Sequence, residues 1–561
     1  MQGHKVSCGL ALMVFAVQVW ACGMPKQMAP DAYVMVKYPD AYAERILLQG
    51  LAGLAAQAVN EGMADELVCL DLAENRYPEW KERTVRRLHI EKRGDFNVWE
   101  LLHRYADRDW VKGYVLYTST EVDGAQNASV NVATSMSGIL QAVPVDEAIE
   151  EQVEKRGLKM LFDARDMSAE ECFAKYKNEF SRNFLCLVNP QKEFVRDVAI
   201  AHKGFVAFGN SDFTWSVVEW LNPLAPILGW NEGDEKAHTI PVSQYAHYNT
   251  ASDWAKNLTF LMAGAEDARL GRAHLSNPDA IAWQDERPCV AFVMSDGDNT
   301  GWLMGNFWSE DYFDSAENGT FPMGWSACTH TLSGLAPAVQ QHLVETQHEN
   351  GSLIEFSGGY FYPDCFGEKY SSAEREELLR KHARTVGAVM DKSNVRLLCL
   401  IAQQSDSPSA QQAYEIFAEE IPGLLGILVM DYAPYHRMKG EVYWVRDHEG
   451  RELPVMTARY AMWAGMKRPL AGGPSEIASA IHQDADGNGP SFAWVAVHAW
   501  SKHADPDSGK NRKGLDAVAH CIEQLDDNKI HLVSPEEMLW RLRYKRNPDE
   551  TKALMIQFQG Q

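Results

Sequence analysis

Beyond its first two dozen residues, this chain of 561 has no apolar run long enough to cross a bilayer. It also lacks a CxxC pair, a Cys/His spacing typical of zinc, an HExxH helix and a G-x-S-x-G elbow. No phosphate-cradling glycine-rich loop follows any strand-like segment of the N-terminal half. These absences argue against a zinc site, a serine nucleophile of the α/β-hydrolase type and a nucleotide site, and they call for no cofactor. Positive charge is scarce: 53 Lys and Arg against 77 Asp and Glu leave a net charge of −24. Such a surface repels nucleic acid and anionic lipid, which makes neutral ligands the natural partners.

What remains is the composition of a soluble globular protein, with 46% hydrophobic and 23% charged residues. The length calls for more than one domain. The 17 Trp and 20 Tyr are plentiful, and aromatic faces stack on the apolar faces of sugar rings, although most large aromatics are core residues. At the N-terminus, Lys5 precedes an apolar run from Val6 to Ala21, about as long as a signal-peptide core, and Cys22-Gly23 follow. Val19-Trp20-Ala21-Cys22 resembles a lipoprotein cleavage box. Residues 1–22 are therefore expected to be a signal peptide. The mature chain would be extracytoplasmic: secreted, periplasmic or lipid-anchored through Cys22, without a transmembrane helix. Of the mature cysteines, Cys69, Cys186, Cys289 and Cys399 lie in apolar strand-like runs, where buried thiols are common.

Residues 30–275 alternate strand-like and helix-like segments, which predicts an α/β N-terminal domain. Leu67–Leu70, Trp110–Thr118, Leu158–Asp163 and Phe184–Val188 read as strands; Ala43–Glu61 and Ser129–Gln141 read as helices, and Pro144–Glu147 as the next helix start. Leu221–Pro226 and Gly229–Glu232 form a loop-rich crossing region. The boundary falls between Leu270 and Arg287, and a second domain occupies 285–545. There, strand-like runs recur at Cys289–Ser295, Met323–Thr331, Leu353–Ser357, Val395–Ala402, Ile427–Asp431, Leu453–Ala458, Phe492–Val497 and Ile530–Val533, with helical segments between several of them. About eight βα units in such a length fit a TIM-like (β/α) barrel, complete or partly broken, with an open doubly wound sheet as the alternative.

In a βα barrel the reacting groups gather where strands end. The first strand end, Ser295-Asp296-Gly297-Asp298-Asn299, sets three oxygen-bearing side chains around a glycine; Asp296 and Asp298 could act as acid or base or share a cation, or the segment could be an Asx-turn capping a helix. The third carries Glu355-Phe356-Ser357-Gly358-Gly359-Tyr360-Phe361-Tyr362-Pro363-Asp364, in which Tyr360 and Tyr362 point to one side of an extended segment. Asp431-Tyr432, Arg459-Tyr460 and His498-Ala499-Trp500 close three later strands. Asp484–Gly489 matches the opening of a calcium loop, but Val495 stands where the bidentate Glu belongs, and no metal site is assigned. His330 is a further, weaker candidate.

Ser357-Gly358-Gly359-Tyr360-Phe361-Tyr362-Pro363 resembles the GxGYxYP signature of a family of putative glycoside hydrolases, with Ser357 in place of the first glycine. Asp296–Asn299, Leu48–Ala52, Ala133–Gly138 and His498–Ser501 resemble other family segments. The resemblance implies a sugar-processing role and brings no established catalytic residues. The expected site therefore uses Asp431 with Asp296 or Asp298 as the carboxyl pair of a glycosidase. Asn299, Glu355, Tyr360, Tyr362, Asp364, Tyr432, Arg459, His498 and Trp500 would bind the carbohydrate. The alternatives are a metal-dependent polysaccharide deacetylase, although its His-x-x-x-His ligand pair is missing, and a non-catalytic glycan-binding protein.

Overall fold

The computed structural model describes residues 23–559 apart from 123–124, 433–438, 467, 488 and 506–508. The expected signal segment and Cys22 lie outside the described residues. Among the described residues no helix is long and apolar enough to cross a membrane.

The N-terminal half is α/β, with three small parallel sheets and a short antiparallel pair, Glu121–Val122 with Ala125–Gln126. β1 (Ala32–Lys37), β2 (Glu66–Asp71) and β3 (Glu91–Phe96) run in the order β2-β1-β3. β4 (Gly113–Tyr117), β5 (Ala142–Asp146) and β6 (Met160–Asp163) run β5-β4-β6, and β7 (Leu185–Leu187), β8 (Phe205–Ala207), β9 (Pro226–Gly229) and β10 (Tyr248–Ala251) run β8-β7-β9-β10. One expectation fails here: Pro144–Asp146 is strand, not helix. Pro144 lies on an edge strand bonded only to β4, where its missing N–H interrupts no ladder. The helical turn begins at Glu147, capped by the Asp146 side chain. The helix Tyr42–Asn60 is buried without a break from Ile46 to Val59, as its small apolar residues on every face require.

Each strand-like run anticipated in the C-terminal half is a strand there. β11 (Cys289–Met294), β12 (Met323–Ala327), β13 (Gly351–Glu355), β14 (Leu397–Ala402), β15 (Gly426–Asp431), β16 (Val442–Arg446), β17 (Glu452–Thr457), β18 (Tyr460–Met462), β19 (Ala471–Gly472), β20 (Phe492–Val497) and β21 (His531–Leu532) share one sheet. The second run is shorter than expected, because Thr329–Leu335 is helix. The order is β16-β17-β15-β14-β13-β12-β11-β20-β18-β19, with β21 beside the start of β11; only β16 runs antiparallel to its neighbour. β11, β14 and β15 are buried at every residue, as parallel strands covered on both faces should be.

The sheet curls into a half-barrel and is not a complete eight-stranded TIM barrel. β17 pairs with β15, whereas β18, which begins only two residues after β17 ends, pairs with β20. Ala458 N–H donates to Val429 O of one wall and Arg459 N–H to Trp494 O of the other. No helix fits between β17 and β18, so the regular strand–helix alternation of a TIM barrel breaks there. The parallel strands still deliver their C-terminal ends to one rim.

Candidate active site

The rim is built first by the turn after β11. Asp296 has φ of 68°, in the left-handed region that Asp tolerates better than most residues. Gly297 packs its backbone on β12, where an added Cβ would collide with the Ser326 carbonyl. This turn fixes the Asp296 carboxylate, which accepts from the Ser295 hydroxyl, from Ala499 N–H at 3.3 Å and from the Trp500 indole N–H at 2.8 Å. Asp298 is buried. Burial pushes its carboxyl well above the usual range, and the charges of Asp296 and Glu235 add to that effect. Asn299 caps the helix Thr300–Met304 by accepting from Trp302 N–H at 2.9 Å, the role an Asx-turn reading gives it.

The carboxyl that faces these aspartates comes from the other half of the chain. Glu235 opens the helix Glu235–Gln244, N-capped by Asp234, just after β9. Burial raises its carboxyl to about 7, with the Asp296 charge as the next contribution. Tyr360 Oη donates to Glu235 Oε2 at 3.1 Å, and the Tyr362 and Tyr360 hydroxyls meet at 3.3 Å. Tyr432 Oη donates to Asp234 Oδ1 at 2.8 Å, and its ring lies 5.5 Å from that of Tyr362. The alternation in the signature does place both phenols on one side. Tyr360 and Tyr362 are nonetheless 1% and 0% exposed, so they stand behind Glu235 and do not form an open wall for a sugar.

On the far side of Asp296, His498 stacks on Trp463 with centroids 3.4 Å apart, and its Nδ1 meets Ser501 Oγ at 2.8 Å. Burial lowers its pKa while the Asp296 charge opposes the shift. Trp500 is 42% exposed at the mouth and leans on Trp302.

Other expected residues are occupied elsewhere. Asp431 is buried, and its carboxylate accepts from Ser405 N–H at 2.9 Å and Ser405 Oγ at 3.0 Å. Glu355 is fully buried; it accepts from the Thr329 hydroxyl, from His330 N–H at 3.0 Å and from Gly358 N–H at 2.9 Å, and burial raises its carboxyl to about 7. It pins the start of a helix and the signature turn, and it does not face the mouth. Asp364 accepts from Gln403 and Gln404 N–H, tying the signature loop to the end of β14. Arg459 forms a two-pronged pair with Asp484, at 2.8 and 3.0 Å, which also accounts for the acidic loop that resembled a calcium motif. His330 is buried against the signature turn, its pKa lowered by burial to about 3.

Glu235 is the residue the sequence did not point to. Its only local signal is the segment Gly229-Trp230-Asn231-Glu232-Gly233-Asp234-Glu235, where glycines, acids and an aromatic crowd a loop between strand and helix. Together Glu235, Asp296 and Asp298 make a carboxyl cluster in which at least one member holds a proton near neutral pH, bordered by an exposed indole. Carboxyls within electrostatic reach of one another, one of them raised to about 7, are suited to acid–base work on a bound group. Among the described residues no group of three or more His, Cys, Asp or Glu side chains is arranged to hold a metal ion. The eight cysteines among the described residues are free thiols.

Residues 287–543 match a family model described as the GxGYxYP putative glycoside hydrolase C-terminal domain. Residues 111–180 match the GxGYxYP_N second domain, and residues 182–263 match the GxGYxYP third domain. A search of curated proteins finds no match. Among solved structures, the chain is similar to one described as a putative hydrolase from Bacteroides thetaiotaomicron VPI-5482. That likeness has a TM-score of 0.77 at 21% identity and covers 93% of this chain and 96% of the other; it is a likeness of fold.

Proposed function

The chain belongs to the GxGYxYP family, and on that premise we propose that it hydrolyses glycosidic bonds with Glu235 as proton donor and Asp296 as the opposing carboxylate. The observation that carries this reading is the pairing of a partly exposed Glu235, raised to about 7, with an Asp296 carboxylate fixed by three donors. A carboxyl still partly protonated at neutral pH is suited to protonate a leaving oxygen, as catalytic acids of this class require. Asp296 then serves either as base toward water or as nucleophile toward the anomeric carbon. Burial holds the Asp298 carboxyl well above its usual range, so it can stay protonated beside the other two acids. The exposed ring of Trp500 offers a stacking face for a pyranose, and its N–H steadies Asp296. Glu235 replaces Asp431 in the carboxyl pair, because Asp431 is buried and held by Ser405, whereas Glu235 is partly exposed and within reach of the Asp296 charge. The leader-like sequence before Cys22 supports an extracytoplasmic glycan as substrate.

The test is a screen of the purified mature protein against aryl glycosides and polysaccharides, with products analysed for new reducing ends and for acetate. Cleavage that disappears in both Glu235→Gln and Asp296→Asn supports the proposal. Full activity in both variants, acetate release without bond cleavage, or glycan binding without turnover across the panel would overturn it.

A further inference from the structure

The helix that brings Glu235 to the rim is held at both ends by the signature loop. At its C-terminal end, Ser243 Oγ accepts from Tyr362 N–H at 3.0 Å, Ser243 O accepts from Gly367 N–H at 2.8 Å, and Gln244 O accepts from Lys369 N–H at 3.1 Å. Just beyond it, Asn249 of β10 and Tyr360 exchange backbone bonds in both directions, Asn249 N–H to Tyr360 O at 2.9 Å and Tyr360 N–H to Asn249 O at 2.8 Å. Gly359 makes that approach possible, since a Cβ there would lie 2.9 Å from Asn249 O and strike the Tyr248 ring. At the N-terminal end, the Tyr360 hydroxyl reaches Glu235. When Glu235 is ionised the Tyr360 proton is directed to its Oε2, and Tyr362 is then the donor across the 3.3 Å contact, so in that state the two phenols form a relay ending on the carboxyl.

We infer that Tyr360 and Tyr362 of the signature are positioning residues, whose linked phenols hold the Glu235 carboxyl from the N-terminal half over the strand-end aspartates. This inference rests on the glycosidase reading only where it concerns turnover; the clamp itself is a statement about Glu235. The groups facing that carboxyl are Asp296 and Asp298 from the β11 turn, Asp234 from its own cap, and Tyr360, Tyr362 and Tyr432 from the loops after β13 and β15. Burial and the charges of Asp296 and Asp234 favour the protonated form, and the Tyr360 and Tyr432 phenols oppose them by donating to the ionised form. Removing the Tyr360 hydroxyl therefore raises the Glu235 midpoint further. It also frees the side chain to leave its place opposite Asp296.

The test compares Tyr360→Phe and Tyr362→Phe with the parent full chain. The Glu235 carboxyl is titrated by infrared difference spectroscopy, with Glu235→Gln as the blank that assigns the band. The expected result is an upward shift of the midpoint by about one pH unit in Tyr360→Phe, with a smaller shift of the same sign in Tyr362→Phe. In the pH–rate profile, the high-pH limb moves up by the same amount, and kcat falls roughly tenfold while KM changes little. An unmoved midpoint in a folded Tyr360→Phe overturns the clamp, as does a rise in KM alone, which would make the tyrosines a sugar wall. If Tyr360→Phe does not fold, Tyr362→Phe carries the same titration, and an unmoved midpoint there is equally decisive. A midpoint that shifts in a protein with no hydrolytic activity keeps the clamp and removes the glycosidase reading.

Discussion

The loops after β11 and β15 begin alike and end differently. Both strands are parallel and buried at every residue, and each delivers an aspartate to the same rim, Asp431 as the last residue of β15 and Asp296 in the turn after β11. After β15, Asp431 turns inward and its two oxygens are satisfied by Ser405. After β11, a left-handed turn carries Asp296, whose carboxylate accepts from Ser295 of its own turn and from Ala499 and Trp500 of another loop, and whose charge acts on Glu235. Position at a strand end is thus a poor guide to chemistry. What distinguishes the two carboxylates is their surroundings: Asp431 is closed in by Ser405, whereas Asp296 is held against the half-exposed indole of Trp500 and its charge acts on Glu235.

The largest effect that sharpens this contrast is on turnover. Glu235→Gln and Asp296→Asn should each lower kcat by about a thousandfold with little change in melting temperature, measured on whichever glycoside the panel identifies. In the parent protein, the rate should fall as pH rises through about 7, because Glu235 then loses the proton it must donate. A different carboxyl supplies a contrasting pH response in stability. Glu355 has a folded pKa of about 7, above its ordinary value near 4.5, so the native state holds a proton that the unfolded chain has released between those values. Its contribution is complete below about 4.5 and is lost as pH rises through 7, so unfolding by urea should become easier between pH 5 and 8. Glu355→Gln should flatten that slope.

Asp431→Asn should cost about 1–3 kcal/mol of stability through its Ser405 bonds while leaving kcat within a few-fold. Abolished turnover with an unchanged melting temperature would break the comparison and return Asp431 to the chemistry. The smallest effect is expected from Trp500→Phe, which keeps an aromatic face but removes the indole donor to Asp296. A roughly tenfold loss in kcat/KM would match one charge-assisted hydrogen bond.

The strands of the C-terminal half were legible because parallel core strands are continuous apolar runs, and Val290–Met294 or Ile427–Met430 announce themselves. The rim residues that follow them were legible for the same reason. The curl was not, since nothing in Glu452–Met462 says that one continuous stretch pairs with β15 at one end and β20 at the other. Nor was the difference between Asp296 and Asp431, which depends on the donors a folded loop offers. Glu235 was hidden most completely. It lies in another sheet's connection, far from Asp296 in sequence, and only tertiary packing places it there.

The two-way backbone exchange between Asn249 and Tyr360 has a consequence for the order of assembly. It closes a long loop of chain, and long-range contacts of this kind form late, after local structure has repaid the entropy of closure. A chain leaving a ribosome or a membrane pore would carry its aspartates and its glutamate in separate, inert pieces. Activity would appear only when the last long-range contact is made, so the onset of turnover during refolding would serve as a clock for the joining of the two halves.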